Sequence, residues 1–313
     1  MMDNIIKLVF LIIILCMFVF CYHSISNNNK FNNIDEKYAI IEKYLIKDSS
    51  IAQSNKPLLW IHVDFKLNSR QWLDFGSRNT NNLNMPFIYL TIKSIIDKCG
   101  KSFNICLIDD STFERLIPGW NIELDYIGDP VKNHIRELAL CKLLHLYGGI
   151  IIPKSFICLK DLFPLYQKNL FVGEFLFHSN TLPCSKLIGC EKNNEYIKKY
   201  IEYLEIINST DFTKSYDFIE KNRMWIIEES KLNNITTIDG KLIGTKDKNN
   251  KIITIDRLIS EIPIIFDENI YGIYINDEEL LKRNKYNWFC RMSPEQVLSS
   301  NTTIGTYLLE SQT

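Results

Sequence analysis

The chain has 313 residues, with 36 lysines and arginines against 37 aspartates and glutamates, so its formal net charge is -1 at pH 7. A chain of this length can bury a full hydrophobic core, and its balanced charge lacks the basic excess typical of nucleic-acid binding. The aromatic fraction of 12% also excludes a disordered chain. We therefore expect a globular protein without nucleic acid among its partners.

The N-terminal 22 residues predict a membrane anchor. An apolar run extends from Leu8 to Tyr22, directly after Lys7. About 20 mostly apolar residues span a bilayer, and a lysine at one end of the span can reach the headgroups. The alternative is a cleaved signal peptide, with Ser24 and Ser26 as the small residues before the cut. If the segment is retained, we expect a single-pass protein of an endomembrane or virion membrane, with its bulk lumenal or extracellular.

Residues 23–55 predict a stem between this anchor and the folded part of the chain. They contain two Asn-rich runs and one charged stretch, and Lys56-Pro57 marks their end. Residues 56–313 are then predicted to form one domain. Asn, Ile and Lys are common throughout, a composition that suits an AT-rich coding genome such as that of a virus or a protist.

The first half of this domain alternates strands and helices. Leu58–Val63 and Asn104–Ile108 are apolar runs that predict buried strands. Pro86–Cys99 has the length and spacing of a helix, and Val131–Tyr147 predicts a helix that is apolar almost all round and therefore buried. Ile150-Ile151-Ile152 follows as a third strand. Such alternation predicts parallel pairing with right-handed crossovers, and the third strand should be central and buried on both faces.

The second half has weaker patterns. Asn193–Ile207 and Tyr216–Lys231 predict helices, whereas Lys241–Gly244 and Lys251–Ile255 flank a polar turn and predict a hairpin. Cys184 and Cys190 bracket a short loop, so a disulfide between them is an open alternative in an oxidising compartment.

The segment from Leu146 to Ser155 contains the most specific motif. It runs Leu-Tyr-Gly-Gly-Ile-Ile-Ile-Pro-Lys-Ser, which indicates a helix end, a glycine corner, a buried strand and a polar loop. Together with the first strand and the Ile108-Asp109-Asp110 strand end, it resembles the GT-A-type glycosyltransferases that carry an Asp-x-Asp motif. The resemblance covers roughly Leu58–Phe175. It implies an α/β, Rossmann-type, mostly parallel sheet flanked by helices, and transfer of a sugar from a nucleotide sugar to an acceptor hydroxyl.

The chain departs from this family at the metal site. The family's Asp-x-Asp holds a divalent metal against the donor diphosphate, but the equivalent residues here are Pro153-Lys154-Ser155. Hard cations need oxygen ligands, and Ser155 alone is a weak one. A lysine at 4 Å would repel a cation by about 4 kcal/mol per unit charge at an effective dielectric near 20. We therefore predict no metal at this loop and no cofactor.

The resemblance also suggests donor-binding residues. Counting back from Gly148 places Glu137 at the position of a family aspartate that contacts the donor, and places Leu140 at that of a family arginine. In a metal-independent transferase, Lys154, Arg78 or Arg70 would balance the diphosphate instead. The alternative for Lys154 is a solvated lysine in a loop.

Three further candidates have competing structural explanations. Asp109 and Asp110 could be displaced metal ligands, but Ser111-Thr112-Phe113-Glu114 matches a capping box, which gives Asp110 or Ser111 a local role as a helix cap instead. Trp288 matches a family tryptophan loop that closes over the donor, with ordinary aromatic packing as the alternative.

The resemblance and its departures leave two classes of function. The first is a membrane-anchored glycosyltransferase-like protein whose partner is a nucleotide sugar. The second is a non-catalytic binding or structural membrane protein. Binding of any one nucleotide sugar would favour the first class.

Overall fold

The computed structural model describes residues 56–64, 85–209, 215–232 and 235–312. The predicted anchor and stem lie outside these ranges, as do Arg70 and Arg78, so their structure is not described further. The described residues all fall within one compact unit, Ile46–Thr313. No helix in the described ranges is both long enough and apolar enough to span a membrane.

The described residues form short strands and helices along the whole domain. The strands are β1 (Leu58–His62), β2 (Asn104–Ile108), β3 (Gly149–Ile151), β4 (Phe156–Cys158), β5 (Phe171–Phe177), β6 (Asn180–Cys190), β7 (Thr236–Ile238) and β8 (Gly272–Tyr274). The helices are α1 (Ile88–Cys99), α2 (Phe113–Leu116), α3 (Val131–Tyr147), α4 (Phe163–Tyr166), α5 (Glu195–Asn208), α6 (Ser215–Leu232), α7 (Ile255–Leu258), α8 (Asp277–Lys282), α9 (Asn287–Cys290), α10 (Pro294–Leu298) and α11 (Thr303–Ser311).

The main sheet has six strands in the order β2-β1-β3-β6-β5-β7. β1 pairs in parallel with β2 and β3, and β5 pairs in parallel with β7. Only β6, among these six described strands, runs against its neighbours. The prediction of an α/β fold with a mostly parallel sheet is therefore confirmed. A second, two-stranded sheet pairs β4 with β8 in antiparallel orientation.

The reversed direction of β6 follows from the short loop that joins it to β5. Phe177 pairs with Asn180, so only His178 and Ser179 connect the two strands. His178 has a φ of 53°, the left-handed conformation that tight hairpin turns need. A two-residue loop joins antiparallel strands only, because a parallel pair needs a long crossover.

The central strand β3 lies between β1 and β6, and Ile150 and Ile151 are 0% and 5% exposed. On one face, Ile151 and Trp60 belong to a core cluster that includes apolar residues of α3 and α5. Ile150 and Leu59 alternate with them and are also buried, so the strands are covered on both faces. The predicted central, doubly buried strand is confirmed.

The Gly148-Gly149 corner explains why this turn needs glycine. Gly148 ends α3 with a φ of 71°, and its amide donates to the Leu144 carbonyl at 2.8 Å. Gly149 has a φ of 108°, and a Cβ there would overlap the Leu58 carbonyl oxygen. The Trp60 indole Nε1 donates to the Gly148 carbonyl at 2.9 Å and fixes the corner against β1.

In the second half of the chain, the predicted hairpin is wrong, and so is the open alternative of a disulfide. The predicted hairpin is reduced to one isolated bridge between Lys246 and Ile252, because the Ile243 carbonyl accepts from the Tyr274 amide instead. Cys184 and Cys190 are free and buried. Both lie in β6, on opposite sides of the place where the register of this strand against β5 shifts, and they form no disulfide.

The glycine corner generates the first testable prediction. Gly149→Ala should lower the free energy of unfolding by at least about 3 kcal/mol, because the new methyl group forces either the corner or β1 to move. Equilibrium urea unfolding followed by circular dichroism measures the change. Gly119→Ala is the matched control, since Gly119 also has a positive φ, of 76°, but has open space around its Cβ position. We expect it to cost only about 1 kcal/mol, and equal losses in the two variants would contradict the close approach at Gly149.

Candidate functional site at the carboxyl edge of the sheet

Charged side chains collect where β1, β2 and β3 end. This is the edge of an open α/β sheet at which ligands bind. The group, which we call the edge cluster, also receives one residue from α3 and one from the start of α8. Its members are His62, Asp64, Asp110, Arg136, Lys154 and Asp277.

Asp110 and Arg136 form the best-defined pair of the edge cluster. The Arg136 Nε donates to Asp110 Oδ1 at 2.8 Å and its Nη2 donates to Oδ2 at 2.6 Å. This two-point geometry makes the bond strong and directional. The His62 Nε2 lies 2.9 Å from the same Oδ1, and the His62 ring stacks on Phe113 with centroids 5.6 Å apart. The pair therefore joins the ends of β1 and β2 to α3.

The pKa shifts assign charges to this pair. Burial alone would raise the pKa of Asp110, but hydrogen bonds from His62 and Arg136 outweigh burial and hold that pKa well below its usual range. Burial lowers the pKa of His62, although the hydrogen bond to Asp110 opposes this. At neutral pH, Asp110 is therefore ionised and His62 is neutral, so its Nε2 carries the proton that it donates to Asp110.

Lys154 connects the third strand to the same cluster. Its Nζ donates to Asp64 Oδ1 and lies 3.7 Å from Asp277 Oδ2. The other Asp64 oxygen is 3.8 Å from the Arg136 Nη1. The Lys154 side chain is only 15% exposed, and its backbone carbonyl accepts from the Thr91 hydroxyl at 2.6 Å. Lys154 is therefore a paired, largely buried cation, and the alternative of a solvated loop lysine is wrong.

Ser155 secures the other end of this loop. Its hydroxyl donates to the Ile275 carbonyl at 2.7 Å and lies 3.0 Å from Asp277 Oδ1. It is fully buried. The Pro-Lys-Ser loop is thus held against the segment that leads from β8 into α8.

The edge cluster does not fit a divalent metal. Three carboxylates and two cations, with His62 neutral, leave one net negative charge. A divalent ion bound by these carboxylates would lie close to the Lys154 ammonium and the Arg136 guanidinium, and both positive charges would repel it. In the described part of the chain, no group of three or more His, Cys, Asp or Glu side chains could hold a metal ion.

Asp109, not Asp110 or Ser111, is the capping residue at the end of β2. Its Oδ1 accepts from the Thr112 amide at 3.0 Å and from the Thr112 hydroxyl at 2.6 Å. The Ser111 hydroxyl donates to it at 2.7 Å. Burial would raise the pKa of Asp109, but these hydrogen bonds lower it. The predicted capping box was therefore placed two residues too late, because the first turn is a 3₁₀ turn that begins at Asp110.

Glu137 is held away from the edge cluster by contacts of its own. It accepts hydrogen bonds from the Ser185 hydroxyl at 2.5 Å, the Tyr200 hydroxyl at 2.6 Å and the Asn222 amide at 3.2 Å. These contacts tie α3 to β6, α5 and α6. Its role in donor binding stays a prediction.

None of the described contacts of Trp288 involves a member of the edge cluster. It is 49% exposed on α9, and its ring meets Phe289 edge-on with centroids 5.8 Å apart. Arg78 is outside the described residues. Of the six predicted site residues, the structure therefore brings Lys154 and Asp110 into one network, with Asp109 beside them.

Sequence reasoning missed four members of the edge cluster as site residues. Asp64 follows the first predicted strand by one residue, so its position at the strand end was a usable signal. Arg136 directly precedes Glu137 but does not correspond to either of the family's donor-contacting positions, so the resemblance does not indicate it. Asp277 had no signal, since 122 residues separate it from Ser155. His62 lies inside the first apolar run, a position that is typical of a buried core histidine and therefore gives no signal of a site.

Comparisons with known proteins add little to this site. No known protein family matches the chain, and no curated protein matches it either. Among solved structures, the chain is similar to the PaToxG glycosyltransferase, with 16% identity over 57% of this chain and 73% of that chain. The TM-score is 0.32, so this likeness carries no argument about the residues of the edge cluster.

The Asp110 pair generates the second testable prediction. Asp110→Asn should lower the free energy of unfolding by about 2–4 kcal/mol, because the largely buried Arg136 guanidinium loses its charged partner. Urea unfolding at pH 7 measures the loss. Asp256→Asn is the control, because its pair with Lys285 is exposed on both sides and should change nothing measurable. A stability loss confined to the control, or none in Asp110→Asn, would contradict the network.

Proposed function

We propose that this chain is a glycosyltransferase-like protein that binds a nucleotide sugar at the edge cluster without a divalent metal. The observation that carries the proposal is the position of the Lys154 ammonium. It follows the central strand at the place where the resembling family has its acidic pair, and Asp64 and Asp277 hold it there. A fixed cation thus stands where that family uses a metal ion.

The chemistry of the edge cluster suits a ligand with both hydroxyl and phosphoryl groups. An ammonium has three N–H donors, and Asp64 accepts only one of those of Lys154 at short range. Among the described residues, the next carboxylate oxygen is that of Asp277 at 3.7 Å, so phosphoryl oxygens could accept from the donors that Asp64 does not use. The carboxylates of Asp64 and Asp277 are acceptors for hydroxyl groups. A nucleotide sugar presents hydroxyls on the ribose and on the sugar, and phosphoryl oxygens between them.

If the protein is an active transferase, the positive charge of Lys154 would stabilise the departing diphosphate. Lys154 and Arg136 would also position the donor, since both are fixed by carboxylates before the ligand arrives. The N-terminal membrane anchor stays a prediction from the sequence alone.

One observation favours the second class of function, a non-catalytic binding protein. The charged groups of the edge cluster are paired with one another, and their net charge is negative. Such a cluster neutralises a leaving diphosphate less well than a metal ion does. Release of the nucleoside diphosphate together with transfer of the sugar to an acceptor hydroxyl would identify the transferase, whereas binding without turnover for any acceptor would identify the binding protein.

Donor binding generates the third testable prediction. Full-length protein in detergent micelles is titrated calorimetrically with a panel of nucleotide sugars, in manganese and in excess chelator. We expect at least one donor to bind, with the same affinity within about twofold in both conditions. Lys154→Met should weaken that binding at least tenfold, or about 1.4 kcal/mol. Lys154→Arg should retain most of it, because the charge remains.

Lys160→Met is the control for this titration. Lys160 is an exposed lysine six residues further along, and its Nζ donates to the Glu268 carbonyl. Its removal should leave the affinity unchanged. Failure of every donor to bind, or loss of binding in chelator, would contradict the proposed metal-independent site.

A further inference from the structure

A small, mostly enclosed pocket, separate from the edge cluster, lies beside the segment that follows β8. Side chains of Lys186, Arg223, Tyr274, Asn276 and Glu279 line it together with apolar residues of β5 and α7. Its volume is about 30 Å³, which is room for about two water-sized groups. The pocket is therefore too small for a whole nucleotide but large enough for two oxygen atoms of a ligand.

Arg223 gives the pocket a buried positive charge without an acidic partner. It is 4% exposed. Its Nη1 and Nη2 donate to the carbonyls of Phe175 and Leu176 at 3.1 and 3.2 Å, and its Nε has no hydrogen-bond partner. No ion pair within the described residues joins Arg223 to a carboxylate. Buried charges are normally paired with opposite charges, whereas the Arg223 guanidinium is held by two carbonyls and by the Phe177 ring, whose centroid lies 4.7 Å away.

Lys186 supplies a second cation to the same pocket. Its Nζ lies 3.0 Å from the Tyr274 hydroxyl and 5.4 Å from the centre of that ring. Burial raises the pKa of Tyr274 to about 12, so the phenol is neutral at pH 7 and does not cancel the charge of Lys186. Burial alone would lower the pKa of Lys186, but nearby groups, the Glu278 carboxylate among them, raise it above its usual value. Lys186 is therefore charged.

The acids near the pocket do not cancel both cations. Glu279 lines the pocket, but its Oε1 lies 3.1 Å from the Arg283 guanidinium. Glu278 is exposed to solvent and is not among the residues that line the pocket, and its charge contributes to the raised pKa of Lys186. Two cations and one already paired carboxylate leave the lining positive. The pocket is thus electrostatically suited to an anion.

We propose that this pocket binds a small oxyanion, the phosphoryl or carboxylate end of a ligand, with oxygens that accept from Lys186 Nζ and from the Arg223 guanidinium. Two oxygens match the two donors and the volume of the pocket. The rest of the ligand stays outside. Asn276 lines the pocket and Asp277 belongs to the edge cluster, so the two sites adjoin. The oxyanion site stands whether or not the edge cluster binds a nucleotide sugar.

Titration of the full-length protein with inorganic phosphate and, separately, with glucuronate tests this site. We expect one of them to bind with one-to-one stoichiometry and to bind less tightly as salt increases. The tighter of the two identifies a phosphoryl or a carboxylate ligand. Lys186→Met should weaken binding at least tenfold, and so should Arg223→Lys, which keeps a charge but loses the guanidinium.

Lys142→Met is the matched control, because Lys142 pairs with Glu205 elsewhere on the surface, and it should leave oxyanion binding unchanged. Thermal unfolding of each variant establishes that it is folded. If Arg223→Lys does not fold, Lys186→Met alone decides the question. Absence of saturable binding for both anions, or equal affinity in the Lys186 variant and the control, would overturn the proposal. Donor binding that persists in Lys186→Met would leave the proposed function intact.

Discussion

The contact between the Lys154 ammonium and the Asp64 carboxylate organises the carboxyl edge of this protein. It joins the ends of β1 and β3, and through Asp277 it reaches the start of α8. Asp64 also approaches Arg136, whose two-point bond to Asp110 includes the end of β2. Largely buried charges are stable only when each one has a partner. Loss of Asp64 or of Asp110 would therefore leave Lys154 or Arg136 without its closest carboxylate, and the ends of three strands and two helices meet at these contacts.

The two faces of the sheet give this edge different surroundings. On the α3 side, the hydrogen bonds of Glu137 tie α3 to β6, α5 and α6. Beside α8, Lys186 and Arg223 border a small positive pocket. The negative edge cluster and the positive pocket adjoin through Asn276 and Asp277. A ligand with hydroxyls at one end and an anionic group at the other would complement both.

The parallel half of the fold was predictable from sequence, because each strand is a short apolar run and each helix has clear ends. Helix Val131–Tyr147 and strand Asn104–Ile108 have the predicted bounds. The β5–β6 hairpin was not predictable, since its His178-Ser179 turn lacks the usual Asn-Gly pair and β6 contains Pro183, which argues against an interior strand. At the site, Lys154 was found from its motif. Asp277 is brought to it by tertiary packing, which no local pattern reveals.

A double-mutant cycle between Asp64 and Lys154 tests the central claim most directly. The free energy of unfolding is measured for the wild type, Asp64→Asn, Lys154→Met and the double variant. If the ammonium is fixed by this carboxylate, the double variant loses less stability than the two single losses combined, with a coupling energy of about 1–3 kcal/mol. Additive losses, within about 0.5 kcal/mol, would show that Lys154 is not held by Asp64 and would contradict the account.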